Sequence, residues 1–353
     1  MYRPAPNLTP LFIFPALVFE ALVRARNGLY SAGMLAQRRL PRPVISIGNI
    51  TLGGTGKTPL VLYVAQILSS LGATPAVLSR GYGRLSPKSS HILSPESHVF
   101  SPALNLGDEA ALMRRHLPLM WMGISQNRYA AGRDLLQLLS RAIFILDDGF
   151  QYRRLHRDLD IVIIDPSQPL ESNHLFPRGT LREPISGLRR CQVAVINGLP
   201  TAKSSALAEM VIRRYQPNEI IFYCEQKIAS LVSFSDWRNS AKRRHDNQTV
   251  QSAYLVAALG NPERFQRDIQ RMGIEVRGTR FFRDHFKLRP GDWHACIDEA
   301  RRQTADAIIT TEKDAIKITQ PPDFPLLISI QSTEMPQSAE FKFALKKIIE
   351  GSL

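Results

Sequence analysis

Cysteine is scarce in this sequence. Cys191, Cys224 and Cys296 stand far apart with no CxxC pair, so neither a disulfide framework nor a zinc site is indicated, and a reducing, cytosolic environment fits. No two histidines stand at a metal-ligand spacing such as HxxxH. No repeat of fixed period is present, and a long uninterrupted apolar run is missing too. The most apolar stretch, Leu8 to Val23, is broken by Pro15, contains Glu20 and is followed by Arg24 and Arg26. A spanning helix needs about 20 apolar residues, and no Ala-x-Ala-like cleavage site follows closely enough for a secretory signal. Two readings stay open for this stretch: an interfacial helix with arginines at lipid headgroups, or a helix packed on the protein's own core. Acidic residues are in deficit, 31 against 45 Lys and Arg, giving a formal charge of +14. Such a chain is attracted to polyanions, whether nucleotide, nucleic acid or an anionic lipid surface.

At 353 residues, 44% of them apolar, the chain is long enough for one large or two ordinary globular domains. Its organising stretch runs from Ile45 to Pro59: an apolar strand, the cluster Gly53-Gly54-Thr55-Gly56, then Lys57-Thr58 and an apolar helix. Backbone N–H groups of such a loop wrap a polyphosphate, the lysine reaches the β- and γ-phosphates, and the threonine hydroxyl binds Mg²⁺. The strict pattern has a glycine where this chain has Thr51.

The helix period of Pro59 to Leu71 and the apolar strands Ala76–Leu78, Ala142–Leu146, Ile161–Ile164 and Gln192–Asn197 alternate in the manner of a parallel sheet wrapped by helices. The expected fold is α/β, a P-loop NTPase-type parallel sheet with a second, smaller α/β domain. We divide the chain into an N-terminal helix region (1–30), a nucleotide-binding core (31–220) and the smaller domain (221–353). The hinge falls near 220–250, where Trp237 to Gln248 reads as an exposed linker. Residues 85–105 read as a loop or β excursion.

Asp147-Asp148 closes an apolar strand about 90 residues after the glycine loop, the order expected of an acidic motif that holds Mg²⁺. A kinase also needs a group to deprotonate or orient an acceptor hydroxyl. Asp108, opening a helix of the core, and His285, following a strand of the second domain, are candidates. Arg80, Arg178 and Arg182 are available to neutralise phosphates.

Taken together, GGTGKTP, Ser79-Arg80-Gly81-Tyr82-Gly83, Gly107-Asp108-Glu109-Ala110, Asp147-Asp148-Gly149-Phe150-Gln151, Leu181-Arg182-Glu183-Pro184, Gly260-Asn261-Pro262-Glu263-Arg264-Phe265, Asp284-His285 and Thr311-Glu312-Lys313-Asp314 resemble the tetraacyldisaccharide 4′-kinases, the lipid A 4′-kinases, over nearly the whole chain. The resemblance implies transfer of the ATP γ-phosphate to the 4′-hydroxyl of a tetraacyldisaccharide 1-phosphate, giving lipid IVA. It places the enzyme at the cytoplasmic face of the bacterial inner membrane, held by the N-terminal helix and its positive charge, with no nucleic acid partner. It assigns Lys57 and Thr58 to phosphate and Mg²⁺, Asp147 and Asp148 to the metal motif, and Asp108 paired with His285 to acceptor activation. Arg80, Glu109, Gln151 and Arg182 carry over as nucleotide, metal or substrate contacts. The run SNHLFPRGT from Ser172 to Thr180 departs from the glycine-rich segment the resemblance leads one to expect.

A regulatory ATPase of the partition or cell-division type uses a similar loop, but it carries a further lysine before the paired glycines, where this chain has Leu52. A GTPase is disfavoured because no NKxD string is present. A basic nucleic-acid-binding protein would explain the charge but leave GGTGKT and DDGFQ without a role.

Overall fold

The structure, a computed structural model, describes residues 12–84, 90–97, 106–171, 173–218, 220–239, 250–283, 286–319 and 323–350. Helix α1 (Ile13–Ser31) precedes β1 (Val44–Gly48), the glycine loop and α2 (Lys57–Ser70). The first half continues with β2 (Thr74–Ser79), β3 (His91–Leu93), α3 (Asp108–His116), β4 (Trp121–Ile124), α4 (Arg128–Leu136), β5 (Ala142–Asp147), β6 (Leu159–Ile164), a 3₁₀ turn at Ile185–Arg190, β7 (Val193–Asn197) and α5 (Lys203–Tyr215). Then come β8 (Ile220–Ser233), α6 (Phe234–Asn239), β9 (Ser252–Ala258), α7 (Pro262–Arg271), β10 (Glu275–Phe282), α8 (Pro290–Arg302), β11 (Ala307–Thr311), α9 (Glu312–Ala315), β12 (Leu326–Glu334) and α10 (Ser338–Glu350).

The strands form one sheet of order β10-β9-β11-β12-β8-β7-β6-β1-β5-β2-β4-β3. Neighbours run parallel except β8 with β12 and β3 with β4. The central strands are buried from end to end because helices cover both faces, and this is why they read as unbroken apolar runs. Alternate side chains go to opposite layers. Ile45, Ile47, Ile145 and Ile161 meet Leu60, Val61 and Val64 of α2; Val44, Phe144 and Leu146 meet Ala131 and Leu135 of α4; Val162 and Ile164 meet Ala208 and Ile212 of α5. Each such aliphatic side chain, fully buried, contributes roughly 1.5–3 kcal/mol. The C-terminal helix α10 returns to the first half, where Phe341 packs edge-on against Phe222 at 5.0 Å.

The two strand-like runs expected at 220–226 and 229–234 are one strand. Its ladder with β12 skips Ala229, a bulge that accounts for the apparent gap. The proposed division at 220–250 therefore falls on β8, which pairs with β7 through Ile220–Cys224 and with β12 through Glu225–Ser233. The linker expected from Trp237 is corrected at its start: Trp237 lies in α6, is 4% exposed and donates its indole N–H to Glu312 Oε1 at 3.0 Å. The rest of that run, 240–249, lies outside the described residues, as do 85–89 and 98–105 of the expected loop.

The N-terminal helix is anchored on one side only. Ala16 and Tyr30 are buried, Arg26 donates to the Gln151 carbonyl at 2.9 Å, and Arg153 donates to the Asn27 carbonyl at 2.7 Å. Its other side leaves Phe14 75%, Leu17 59% and Leu22 64% exposed. No described helix is long and apolar enough to cross a membrane.

Candidate active site

The glycine loop is shaped from inside by Asn49, a fully buried residue of the strand-to-loop turn. Its Nδ2 donates to the Thr51 carbonyl at 2.7 Å and to Thr55 Oγ1 at 2.9 Å, while its Oδ1 accepts from Lys57 Nζ at 3.3 Å. Left-handed backbone is confined to Gly53 (φ 106°) and Gly56 (φ 94°), where an L side chain is strained. Thr51 has no such conformation; it bridges to Leu181, and the next amide, Leu52 N–H, donates to the Thr180 carbonyl at 2.6 Å. A side chain is tolerated at this position because the loop here leans on the segment 173–182 as an extended strand would. That segment, unusual in sequence, closes on itself through Asn173, whose side chain meets Thr180 Oγ1 at 2.6 Å and Thr180 N at 3.0 Å.

Across the loop, β5 ends on the two acids, and their surroundings make them unlike. Asp148, left-handed at φ 48°, accepts two bonds from Arg182 Nη1 at 2.9 and 2.8 Å and stands 3.5 Å from Lys57 Nζ. Partial burial works against its ionisation, but Lys57 and Arg182 outweigh it and hold the carboxyl well below the usual carboxylate range. Asp147 is 3% exposed and makes no ion pair among the described residues. Burial first, then the neighbouring Glu109 and Asp148 carboxylates, push it up to about 7. Ser79 Oγ donates to its Oδ2 at 3.0 Å, but among the described residues its buried Oδ1 has no hydrogen-bond partner. An orphaned carboxylate oxygen beside two further acids suits a cation. Among the described residues no three His, Cys, Asp or Glu side chains form a metal cluster, but Mg²⁺ takes one or two carboxylates with the remaining positions from water and phosphate. Thr58, in the first turn of α2, lines the same cleft.

Close backbone contact between two further loops completes the first wall. Gly81 (φ 67°) and Gly107 (φ 88°) abut: a Cβ at Gly81 would lie 2.8 Å from the Leu106 carbonyl, and one at Gly107 would collide with the Tyr82 carbonyl. This contact sets Arg80 and Glu109 on the lining. Asp108 lies behind them, 4% exposed, with Oδ2 3.4 Å from Lys317 Nζ. Lys317 also reaches Asp314 Oδ1 at 3.2 Å and the Phe286 carbonyl at 3.4 Å. His285 lies outside the described residues. Gln151 and Asp108 are not on the cleft lining, and Gln151 Nε2 donates to the Asn49 carbonyl at 2.8 Å and to Glu183 Oε1 at 2.9 Å. It supports the loop from below. Arg178 lines a separate groove beside α1.

The cleft measures about 1360 Å³, and Gly260, Arg264, Arg283 and Lys313 of the C-terminal half also line it. Gly53 to Thr58, Arg80, Glu109, Asp147, Asp148 and Arg182 are thus brought together on one wall. Sequence reasoning gave no role to Asn49, Ser79, Asn197, Gln226 and Lys317. Asn49, Ser79 and Asn197 were visible at strand ends or in the quoted strings, but nothing in the sequence distinguished Gln226 and Lys317.

A model of the family described as LpxK, tetraacyldisaccharide-1-P 4′-kinase, matches residues 8–351. The tetraacyldisaccharide 4′-kinase of Halothermothrix orenii is 36% identical over 323 residues, covering 88% of this chain and 83% of that protein. That of Syntrophus aciditrophicus is 32% identical over 352 residues, 95% of this chain and 92% of the relative. A crystal structure of LpxK from Aquifex aeolicus, described as an "apo" form in complex with ATP, superposes with a TM-score of 0.72 at 27% identity, covering 97% of this chain and 99% of that one.

Proposed function

This chain belongs to the tetraacyldisaccharide-1-P 4′-kinase family, and from that premise we infer that it is an ATP-dependent kinase phosphorylating the 4′-hydroxyl of a tetraacyldisaccharide 1-phosphate, to form lipid IVA in lipid A biosynthesis. The observation that carries this reading is the meeting of Lys57, Asp148 and Arg182 at the glycine loop, beside the uncompensated carboxylate of Asp147. Phosphoryl transfer is chiefly positioning and charge neutralisation. The loop amides and Lys57 hold the β- and γ-phosphates, while Arg80 and Arg182 offset charge around them.

Thr58 and Asp147, with Asp148 and Glu109 close by, are the residues that would hold Mg²⁺. When bound, that ion neutralises the phosphate oxygens. Asp108, with His285, takes the proton of the acceptor hydroxyl; the Lys317 ammonium stands 3.4 Å from Asp108 Oδ2 and orients it. The acceptor carries acyl chains, so the enzyme works at a lipid surface. The exposed Phe14, Leu17 and Leu22 of α1 and the formal charge of +14 support binding at the cytoplasmic face of the inner membrane.

The test is direct. Purified protein with ATP, Mg²⁺ and the tetraacyldisaccharide 1-phosphate in detergent should yield a bis-phosphorylated lipid. Folded protein that binds ATP and transfers nothing would sink the assignment.

A further inference from the structure

The glycine loop is also held through its carbonyls by a buried polar group that phosphoryl transfer does not itself require. Asn197, the last residue of β7, is 3% exposed, and Gln226 of β8 is 7% exposed. Asn197 Nδ2 donates to the Thr55 carbonyl at 3.1 Å, and Gln226 Nε2 donates to the Gly56 carbonyl at 2.7 Å. A trans peptide is planar, with its C=O and the following N–H pointing in opposite directions. Holding the Thr55 and Gly56 carbonyls therefore fixes the N–H groups of Gly56 and Lys57 in the opposite direction.

The two amides have no freedom to flip. Arg264, from α7 in the C-terminal half, donates through Nη2 to the Gln226 carbonyl at 2.7 Å and to Asn197 Oδ1 at 3.4 Å. A guanidinium only donates, so the Asn197 atom facing it must be oxygen. Its nitrogen is thereby left for Thr55 and for Gln226 Oε1 at 3.0 Å, and this second bond turns Gln226 Nε2 to Gly56. A Cβ on Gly56 would collide with the Gln226 amide, and one on Gly260, just before α7, would lie 2.6 Å from Gly54 N. The loop's glycines thus admit this support as well as the phosphate.

We propose that Asn197, Gln226 and Arg264 form a positioning relay that presets the phosphate-binding amides of the glycine loop and ties their geometry to the C-terminal half. The relay rests on the reading of this loop as the ATP site. Its members act through the loop backbone; Gln226 and Arg264 also line the cleft whereas Asn197 does not, so Asn197→Leu isolates the action through the loop.

Equilibrium binding of ATP, ADP and adenosine to the full-length protein separates the possibilities, with Gln226→Leu, Asn197→Leu, Arg264→Met and Arg264→Lys as variants. The two Leu variants and Arg264→Met should lose about 10- to 100-fold in ATP and ADP affinity, the range of one charge-assisted hydrogen bond, with adenosine unchanged. KM for ATP should rise while KM for the lipid stays, and Arg264→Lys should recover part of the loss. Thermal unfolding without nucleotide identifies variants that are folded. Folded Leu variants that bind ATP like the parent, or that lose ATP and adenosine alike, overturn the relay. A parent protein that binds no ATP overturns the nucleotide reading itself, and the relay falls with it.

Discussion

Replacing Asp147 by asparagine should make the protein more stable and nearly inactive, with a stability gain that depends on pH. The carboxyl titrates at 3.8 when unfolded and at about 7 in the fold, because burial and then the Glu109 and Asp148 charges oppose its ionisation. The folded state therefore holds the proton more tightly than the unfolded state, the reverse of a salt-bridged aspartate. Stability contributed by this group is intact below about pH 4, declines as pH rises through 4 to 7, and is flat above.

Each pH unit in that window is worth about 1.36 kcal/mol, so keeping or burying this carboxyl costs the nucleotide-free fold on the order of 4 kcal/mol at pH 8, where it is ionised, and less than half of that at pH 5, where it must take up a proton. Asparagine removes the charge and still offers an oxygen to Ser79 Oγ, 3.0 Å away in the parent. Urea denaturation of the metal-free proteins at both pH values measures the difference, and transfer to the lipid acceptor should fall by about 100-fold or more. A variant with the same gain at pH 5 and pH 8, or with none at pH 8, refutes the idea of an uncompensated carboxylate at this position.

Asp108→Ala and His285→Ala should each lower turnover by about 10²–10⁴-fold with ATP affinity retained; normal rates in both would remove them from the chemistry. Arg182→Met takes one of two cations from Asp148, so that carboxyl should titrate higher in the nucleotide-free protein, read from its carboxyl carbon NMR shift against pH. An unchanged titration would show that Arg182 does not tune Asp148. Substituting Phe14, Leu17 and Leu22 together by aspartate should release the protein from vesicles containing anionic lipid, since each buried large apolar side chain is worth about 1.5–3 kcal/mol. Undiminished cosedimentation would place the membrane contact elsewhere.

The parts of the fold that were legible in the sequence are those where local chemistry and tertiary position agree. Val44 to Gly48 and Ala142 to Asp147 are apolar because both faces of the sheet are covered, and Gly53 and Gly56 are glycine because their φ angles are positive. Thr51 looked like a defect only because the motif does not encode its partner, the 173–182 segment, which is brought to it by folding. Gln151 shows what a motif leaves open. Its place after Asp147-Asp148 suggested a ligand contact, and the fold adds that its amide faces the Asn49 carbonyl and Glu183, a choice of side that the string does not encode. Gln226 and Lys317 carry no local signal at all, because their roles depend on residues 170 and 209 positions earlier, Gly56 and Asp108.

The middle of β8 has a consequence for how this protein can be divided. Up to Cys224 the strand belongs to one ladder, and from Glu225 it belongs to another. Genes cut between the halves would leave neither product self-sufficient. A fragment ending at β7 would expose the open edge of a wholly buried strand, a template for aggregation, and its glycine loop would lack the Gln226 amide. Any recombination that moves the C-terminal half onto another nucleotide-binding scaffold has to carry β8 with it, so the seam is inherited as a single unit with the loop it completes.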